Sequence, residues 1–153
     1  MNSQVAADTV RRCFDFLAEK GELEIILPLK EADHAAGWVI DVVSLPFSVR
    51  LTLDRGQVFV ELGAGPAATN WHDMGIVISF LTKGERSFEY YIPEGPISDE
   101  EVARQIARGA DVARDNFAML VDFFLPDGFE VRESELVAYR KTMSEAHWKR
   151  LLR

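Results

Sequence analysis

Apolar side chains near the start of the chain recur at the spacing of one helical face. They are Val5, Val10, Cys13, Phe14 and Leu17. Lys20 suits the last turn of such a helix, and Gly21 is placed to end it. We therefore predict a helix over residues 5–19.

Four segments rich in β-branched and aromatic residues follow, and each is predicted to be a strand. Their sequences are ELEIILPLK, GWVIDVVSL, SVRLTL and QVFVEL. Pro28 restricts the first to a sheet edge or a strand end, because proline cannot donate a ladder hydrogen bond. Pro46 closes the second. A later segment, RSFEYYI, predicts a short strand or an extended edge segment.

The third and fourth strands predict a hairpin whose register follows from the side-chain faces. The pairs are Leu53 with Val58, Leu51 with Val60, Val49 with Leu62 and, on the opposite face, Arg50 with Glu61. This register leaves either Arg55 and Gly56 as a two-residue loop or residues 54–57 as a four-residue loop. Arginine is poorly suited to the positive φ of a type I′ turn, so we predict the longer loop, with Gly56 left-handed.

The remaining segments predict helices. WHDMGIVISFLTKG fits both a strand and a helix, and Asp73 as a cap with Gly84 beyond the end favours a short helix. Ser98 and Glu101 form a capping-box pattern. Apolar residues then recur up to the PDG turn, which predicts one long helix, kinked near Gly109. A final helix covers SELVAYRKTMSEAHWKRLLR and carries Leu136, Tyr139, Met143, Trp148 and Leu151.

This order of elements predicts a single α+β domain over residues 1–153. Its antiparallel sheet has about four to five strands in a meander, with the N-terminal helix and a long C-terminal helix pair packed mainly on one face. The other sheet face carries Arg50, Thr52, Phe59 and Glu61, and is expected to be exposed or partly covered by loops.

Charge narrows the classes of partner. The formal net charge is −8, which argues against nucleic acid because affinity for phosphate backbones depends on cationic contacts. Residues 94–135 carry a net −7 and residues 136–153 a net +4, so a basic protein is a possible partner. The chain shows no membrane span and no secretion-signal pattern, so we expect a cytoplasmic protein, either a monomer or a homodimer.

Candidate chemistry is sparse, and we predict a non-catalytic protein with no cofactor and no metal. His34, His72 and His147 show no metal-ligand spacing and are expected to be surface or capping residues. The glycine-rich loop after the hairpin lacks a phosphate-binding motif. Cys13 is interpreted as a small buried hydrophobe. The carboxylate pairs, including Glu133 with Glu135, are explained by capping or solvation.

Aromatic and arginine residues offer better candidates, because they are over-represented at interaction hot spots. Trp71 is expected in the loop after the hairpin, and three hairpin side chains point to the outer sheet face. The predicted partner-binding residues are Arg50, Phe59, Glu61 and Trp71.

The DRGQ hairpin, followed by W-x-D and an apolar run ending in Phe-Leu, resembles small bacterial proteins similar to immunity proteins of polymorphic toxin systems. The likeness covers about residues 14–82. It implies a non-enzymatic protein that binds and neutralises a cognate toxin, and the acidic charge would suit a basic one.

Two alternatives remain open. Chain size, acidity and the order of helix, sheet and long helix also resemble the homodimeric chaperones of type III secretion. The third possibility is a small-molecule-binding protein or an enzyme of unknown class.

Overall fold

A computed structural model describes residues 1–18, 23–27, 37–90, 92 and 94–152. The helices are α1 (Ser3–Cys13), α2 (Met74–Leu81), α3 (Asp99–Asp115), α4 (Phe117–Phe124) and α5 (Phe129–Leu151). The strands are β1 (Glu24–Ile26), β2 (Trp38–Val43), β3 (Phe47–Asp54), β4 (Gln57–Ala64) and β5 (Trp71–Asp73). A 3-10 turn, Asp15–Leu17, follows α1.

The five strands form one antiparallel meander in the order β1-β2-β3-β4-β5. The predicted hairpin register is confirmed, since Leu53 pairs with Val58 and Arg50 with Glu61. The predicted four-residue loop is wrong: Asp54 pairs with Gln57, leaving Arg55 and Gly56 as the turn. Both have positive φ, as a type I′ turn requires. A type I′ turn has the same twist as the strands that it joins, and this match outweighs the cost of placing an arginine in the left-handed conformation. The Arg55 side chain is exposed.

Among the described residues, the core lies on one side of the sheet. The side chains facing it are buried, and they include Ile40, Val42, Val49, Leu51, Val60 and Leu62. The helices supply the opposing buried side chains, including Val10, Phe14, Val77, Ile106, Leu120 and Phe124. The other strand positions are mostly half-buried. The predicted α+β architecture with helices gathered on one face is therefore confirmed.

The first helix begins and ends earlier than the predicted 5–19. Asn2 caps it by accepting a hydrogen bond from the backbone N–H of Val5, and the backbone leaves helical geometry at Phe14. Cys13 is half-buried rather than buried. Lys20 and Gly21, which were used to predict the end of this helix, lie outside the described residues. The same holds for Pro28 of the first predicted strand and for His34.

The predicted single long helix is two helices, and the break is at Asn116 instead of Gly109. Gly109 lies buried within α3, whereas Asn116 separates α3 from α4. The Asn116 side chain donates to the carbonyl of Val112 and accepts from Arg86. This amide therefore pairs with one backbone carbonyl near the end of α3, at the residue that separates α3 from α4.

The segment 73–82 is a helix, as favoured by the sequence. Asp73 Oδ1 accepts from the backbone N–H of Ile76 and so caps α2. By contrast, residues 86–90 form no strand. Side-chain contacts, and not a backbone hydrogen-bond ladder, hold this segment to β4. Tyr91 lies outside the described residues.

The last helix runs beyond the body of the protein. Leu136 is buried, but Met143, Trp148 and Leu151 are at least half exposed. Among the helices that the structure describes, none combines the length and apolar character needed to cross a bilayer.

Candidate functional site

A row of charged side chains crosses the outer face of the sheet, which the helices leave uncovered. The strand register places Asp41 beside Arg50, Arg50 beside Glu61, and Glu61 beside Asp73. Each side chain belongs to a different strand, from β2 to β5. The row therefore holds three carboxylates and one guanidinium, which lies between Asp41 and Glu61.

Arg50 is held rigidly in the middle of this row. Its Nε and Nη2 donate to the two carboxylate oxygens of Asp41 at 2.7 and 2.8 Å, and its guanidinium lies 4.2 Å from the centre of the Trp71 ring. The hydrogen bonds to Asp41 raise the pKa of Arg50. A bidentate pair stacked on an indole fixes the orientation of all three side chains.

The negative charge of Glu61 is less well compensated than that of Asp41. Within the described part of the chain, no side chain or backbone N–H hydrogen-bonds its carboxylate, since Arg50 is turned toward Asp41. Burial raises the pKa of Glu61, Arg50 partly opposes the shift, and Asp73 and Asp41 add to it. A half-buried carboxylate of this kind favours a cation brought by another molecule.

Trp71 lies close to β4 because Gly63 has no side chain. A Cβ at this position would lie 3.0 Å from Trp71 Cε3 and 2.5 Å from the Cβ of Ala68. Trp71 is in β5, paired with Gly63, so its predicted position in a loop is wrong. The sequence shows no alternation over so short a strand, which is why pattern analysis missed it.

The second aromatic group joins Phe59 to Tyr90. Their ring centres are 5.2 Å apart, and Phe88 packs against Tyr90 at 5.0 Å. The Tyr90 hydroxyl lies 2.5 Å from Asp73 Oδ2, and it also accepts from the backbone N–H of Val60. Burial, with Asp73 close by, raises the pKa of Tyr90, so the phenol keeps its proton.

The structure thus brings the four predicted residues, Arg50, Phe59, Glu61 and Trp71, onto one surface. It adds Asp41, Asp73 and Tyr90, which the sequence analysis did not select. The alternation of side chains in β2 predicts that Asp41 lies on the outer face. No local sequence pattern predicts the position of Tyr90, because its hydrogen-bond partners are 17 and 30 residues away. We call these seven residues the outer-face cluster.

His72 lies on the opposite side of β5 from this cluster. Its Nε2 is 2.7 Å from Glu133 Oε1 in α5, and its side chain is 7% exposed. The expectation that His72 is a surface or capping residue is therefore wrong, and Glu133 is more than a solvated carboxylate. Both contribute to a groove of about 490 Å³ beside Trp71 and Arg140. The pair ties the edge strand to α5.

The chemistry of the outer-face cluster suits recognition. It offers carboxylates, fixed aromatic surfaces and one oriented guanidinium. The described residues contain no group of three or more histidine, cysteine or acidic side chains arranged to hold a metal ion. Comparisons with protein-family models, with curated proteins and with solved structures found no match to this chain.

Replacing Tyr90 with phenylalanine tests the link between Asp73 and β4. We expect Tyr90→Phe to lower the free energy of unfolding by about 1–3 kcal/mol, because the Val60 N–H loses its acceptor and the Asp73 carboxylate its donor. Urea unfolding measures the change. Tyr139→Phe is the matched control, since among the described residues that hydroxyl hydrogen-bonds only with the Ser79 hydroxyl. Equal losses in both variants would contradict the assigned role of Tyr90.

Replacing Glu61 with glutamine tests the uncompensated carboxylate. A carboxyl whose folded-state pKa is raised stabilises the fold below its unfolded pKa, and that contribution is lost as the pH rises through the folded value. We therefore expect Glu61→Gln to raise the melting temperature at pH 7.5 by roughly 1–3 °C. Near pH 4 the difference should disappear. The exposed Glu145→Gln is the control, and destabilisation by Glu61→Gln at pH 7.5 would refute the interpretation.

Proposed function

We propose that this protein is a non-catalytic protein-binding domain of the immunity type. It binds a basic partner protein, such as a toxin, through the outer-face cluster. The orientation of Arg50 carries the proposal. Asp41 and Trp71 fix this guanidinium, and no cation among the described residues forms a hydrogen bond or a salt bridge with Glu61.

Charge and surface chemistry support a basic partner. The cluster holds three carboxylates against one arginine, and the whole chain has a net charge of −8. A lysine or arginine from the partner would reach Glu61 beside the carboxylate of Asp73. Such complementarity speeds encounter and selects against acidic partners.

The aromatic members supply the apolar part of an interface. Trp71, Phe59 and Tyr90 are half-buried and fixed by their neighbours. Fixed aromatic side chains lose little conformational entropy on binding, and tryptophan, tyrosine and arginine dominate hot spots. A partner that covers this face would therefore gain contact area without reordering the sheet.

The test begins with recovery of the partner from the native host by affinity-tagged protein. We expect wild type to recover a basic protein, which Glu61→Lys loses because it places a like charge against the partner's cation. Trp71→Ala should weaken the complex by about 2 kcal/mol, the scale of a hot spot. Co-expression should also protect cells from that protein if it is a toxin.

Matched controls lie far from the cluster. Glu145→Lys makes the same charge change on the exposed part of α5, and Trp148→Ala removes a tryptophan that is 61% exposed. Both should bind as wild type does. Recovery that is equal for Glu61→Lys and Glu145→Lys, or the absence of both a partner and protection, would refute the proposal.

A second candidate function is a homodimeric chaperone of the type III secretion class. One observation favours it: Trp148, Leu151 and Leu152 are 61, 62 and 84% exposed at the end of α5. Residues 136–153 carry a net +4, whereas the rest of the chain carries −12. The acidic body of a second copy would therefore attract and cover this end.

Light scattering distinguishes the candidates. The chaperone function predicts a dimer that becomes monomeric in the double variant Trp148→Ser and Leu151→Ser, because the apolar contact is lost. Asp8→Ser, on the exposed side of α1, is a control that should leave the dimer intact. A wild-type monomer at high micromolar concentration would exclude this candidate.

A further inference from the structure

A second surface feature lies where α3 passes the edge of β4. A cavity of about 280 Å³ opens between them, lined by Val58, Phe88, Tyr90, Glu101, Arg104, Gln105 and Arg108. This volume is close to the lower end of the range for small-molecule sites, roughly 300–1,000 Å³. The cavity shares Tyr90 with the outer-face cluster and no other member of it.

The floor of the cavity is closed to a peptide strand. Gln105 Oε1 accepts from the backbone N–H of Val58, and its Nε2 donates to the carbonyl of Gly56. The Tyr90 hydroxyl accepts a hydrogen bond from the backbone N–H of Val60. Because these edge groups already have partners, strand addition at this point would require their release. The cavity therefore suits a compact ligand better than an extended peptide.

The walls combine flat apolar surface with excess positive charge. Phe88, Tyr90 and Val58 supply the apolar part. Arg104 is paired with Glu101 at 3.0 Å, whereas the guanidinium of Arg108 lies over the Phe88 ring, 5.0 Å from its centre. Within the described residues Arg108 has no carboxylate partner. Its cationic head is positioned at the aromatic wall.

We propose that this cavity binds a small organic anion with a planar apolar body. The body packs between Val58 and the two aromatic rings, and its carboxylate or sulfonate binds Arg108, with Arg104 as the second donor. Guanidinium groups bind such anions through charge-assisted, often bidentate hydrogen bonds. The cavity contributes one negative lining side chain, Glu101, against these two arginines.

The test uses the fluorescent sulfonate 1-anilinonaphthalene-8-sulfonate, with uncharged N-phenyl-1-naphthylamine as its partner probe. Titrations use full-length protein carrying Trp148→Ser and Leu151→Ser, which removes the exposed apolar end of α5 as a competing site. We expect one sulfonate per chain. Arg108→Gln should lower its affinity about tenfold, since one charge-assisted hydrogen-bonding group is lost. The uncharged probe should respond far less.

Glu101→Gln gives a prediction of opposite sign. It removes the carboxylate of the lining and frees Arg104, so affinity for the sulfonate should rise roughly twofold to fivefold. Arg55→Gln, in the exposed hairpin turn, makes the same charge change as Arg108→Gln and is its control. It should bind the sulfonate as the parent protein does. Circular dichroism establishes that each variant is folded.

Three results would overturn the proposal. They are no saturable sulfonate binding in the parent protein, equal affinity in the parent and in the double variant Arg104→Gln and Arg108→Gln, or equal losses for the charged and uncharged probes. None of these results bears on the outer-face cluster, because Arg104 and Arg108 lie outside it.

Discussion

The edge of β4 is the constraint on which much of this structure depends. β4 spans eight residues, but β5 pairs with only three of them, Glu61, Leu62 and Gly63. The backbone groups before that point face an edge along which the described part of the chain places no further strand. A buried N–H or carbonyl without a partner costs free energy, so side chains must replace the missing strand. Gln105 does so for Gly56 and Val58, and Tyr90 does so for Val60.

These two side chains set the positions of larger elements. Gln105 holds α3 against the hairpin, where Ile106 and Ala110 are buried in the core. Tyr90 connects β4 to Asp73, the residue that caps α2. The same phenol packs against Phe59 on the outer face and lines the cavity beside α3. One side chain therefore supports the edge of the sheet, a helix cap and the borders of both candidate sites.

Local rules were sufficient for the register of the hairpin and for the starts of α2 and α3. The faces of Val49 to Leu62 define their register, and Ser98 and Asp73 announce helices through side-chain caps. Local rules were insufficient where contacts between residues far apart in the sequence determine the structure. Asn116 breaks a continuous apolar pattern through its own side-chain bonds. His72 is buried because α5 supplies Glu133, 61 residues later. Of the candidate site, the four residues on β3 to β5 were predictable, whereas Tyr90 required the fold.

On the outer face, the ion pair between Asp41 and Arg50 leaves the neighbouring carboxylate of Glu61 available to a binding partner. Arg50 stands between Asp41 and Glu61 and can satisfy only one of them with both ends of its guanidinium. The Asp41 side chain is 15% exposed and that of Arg50 30%, so their bidentate pair is shielded from water and persists. Glu61 is consequently the neighbour whose charge is left to solvent or to a partner. Replacing it with a neutral residue would relieve the fold and at the same time remove the charge offered to a partner, the conflict between stability and recognition that binding surfaces often show.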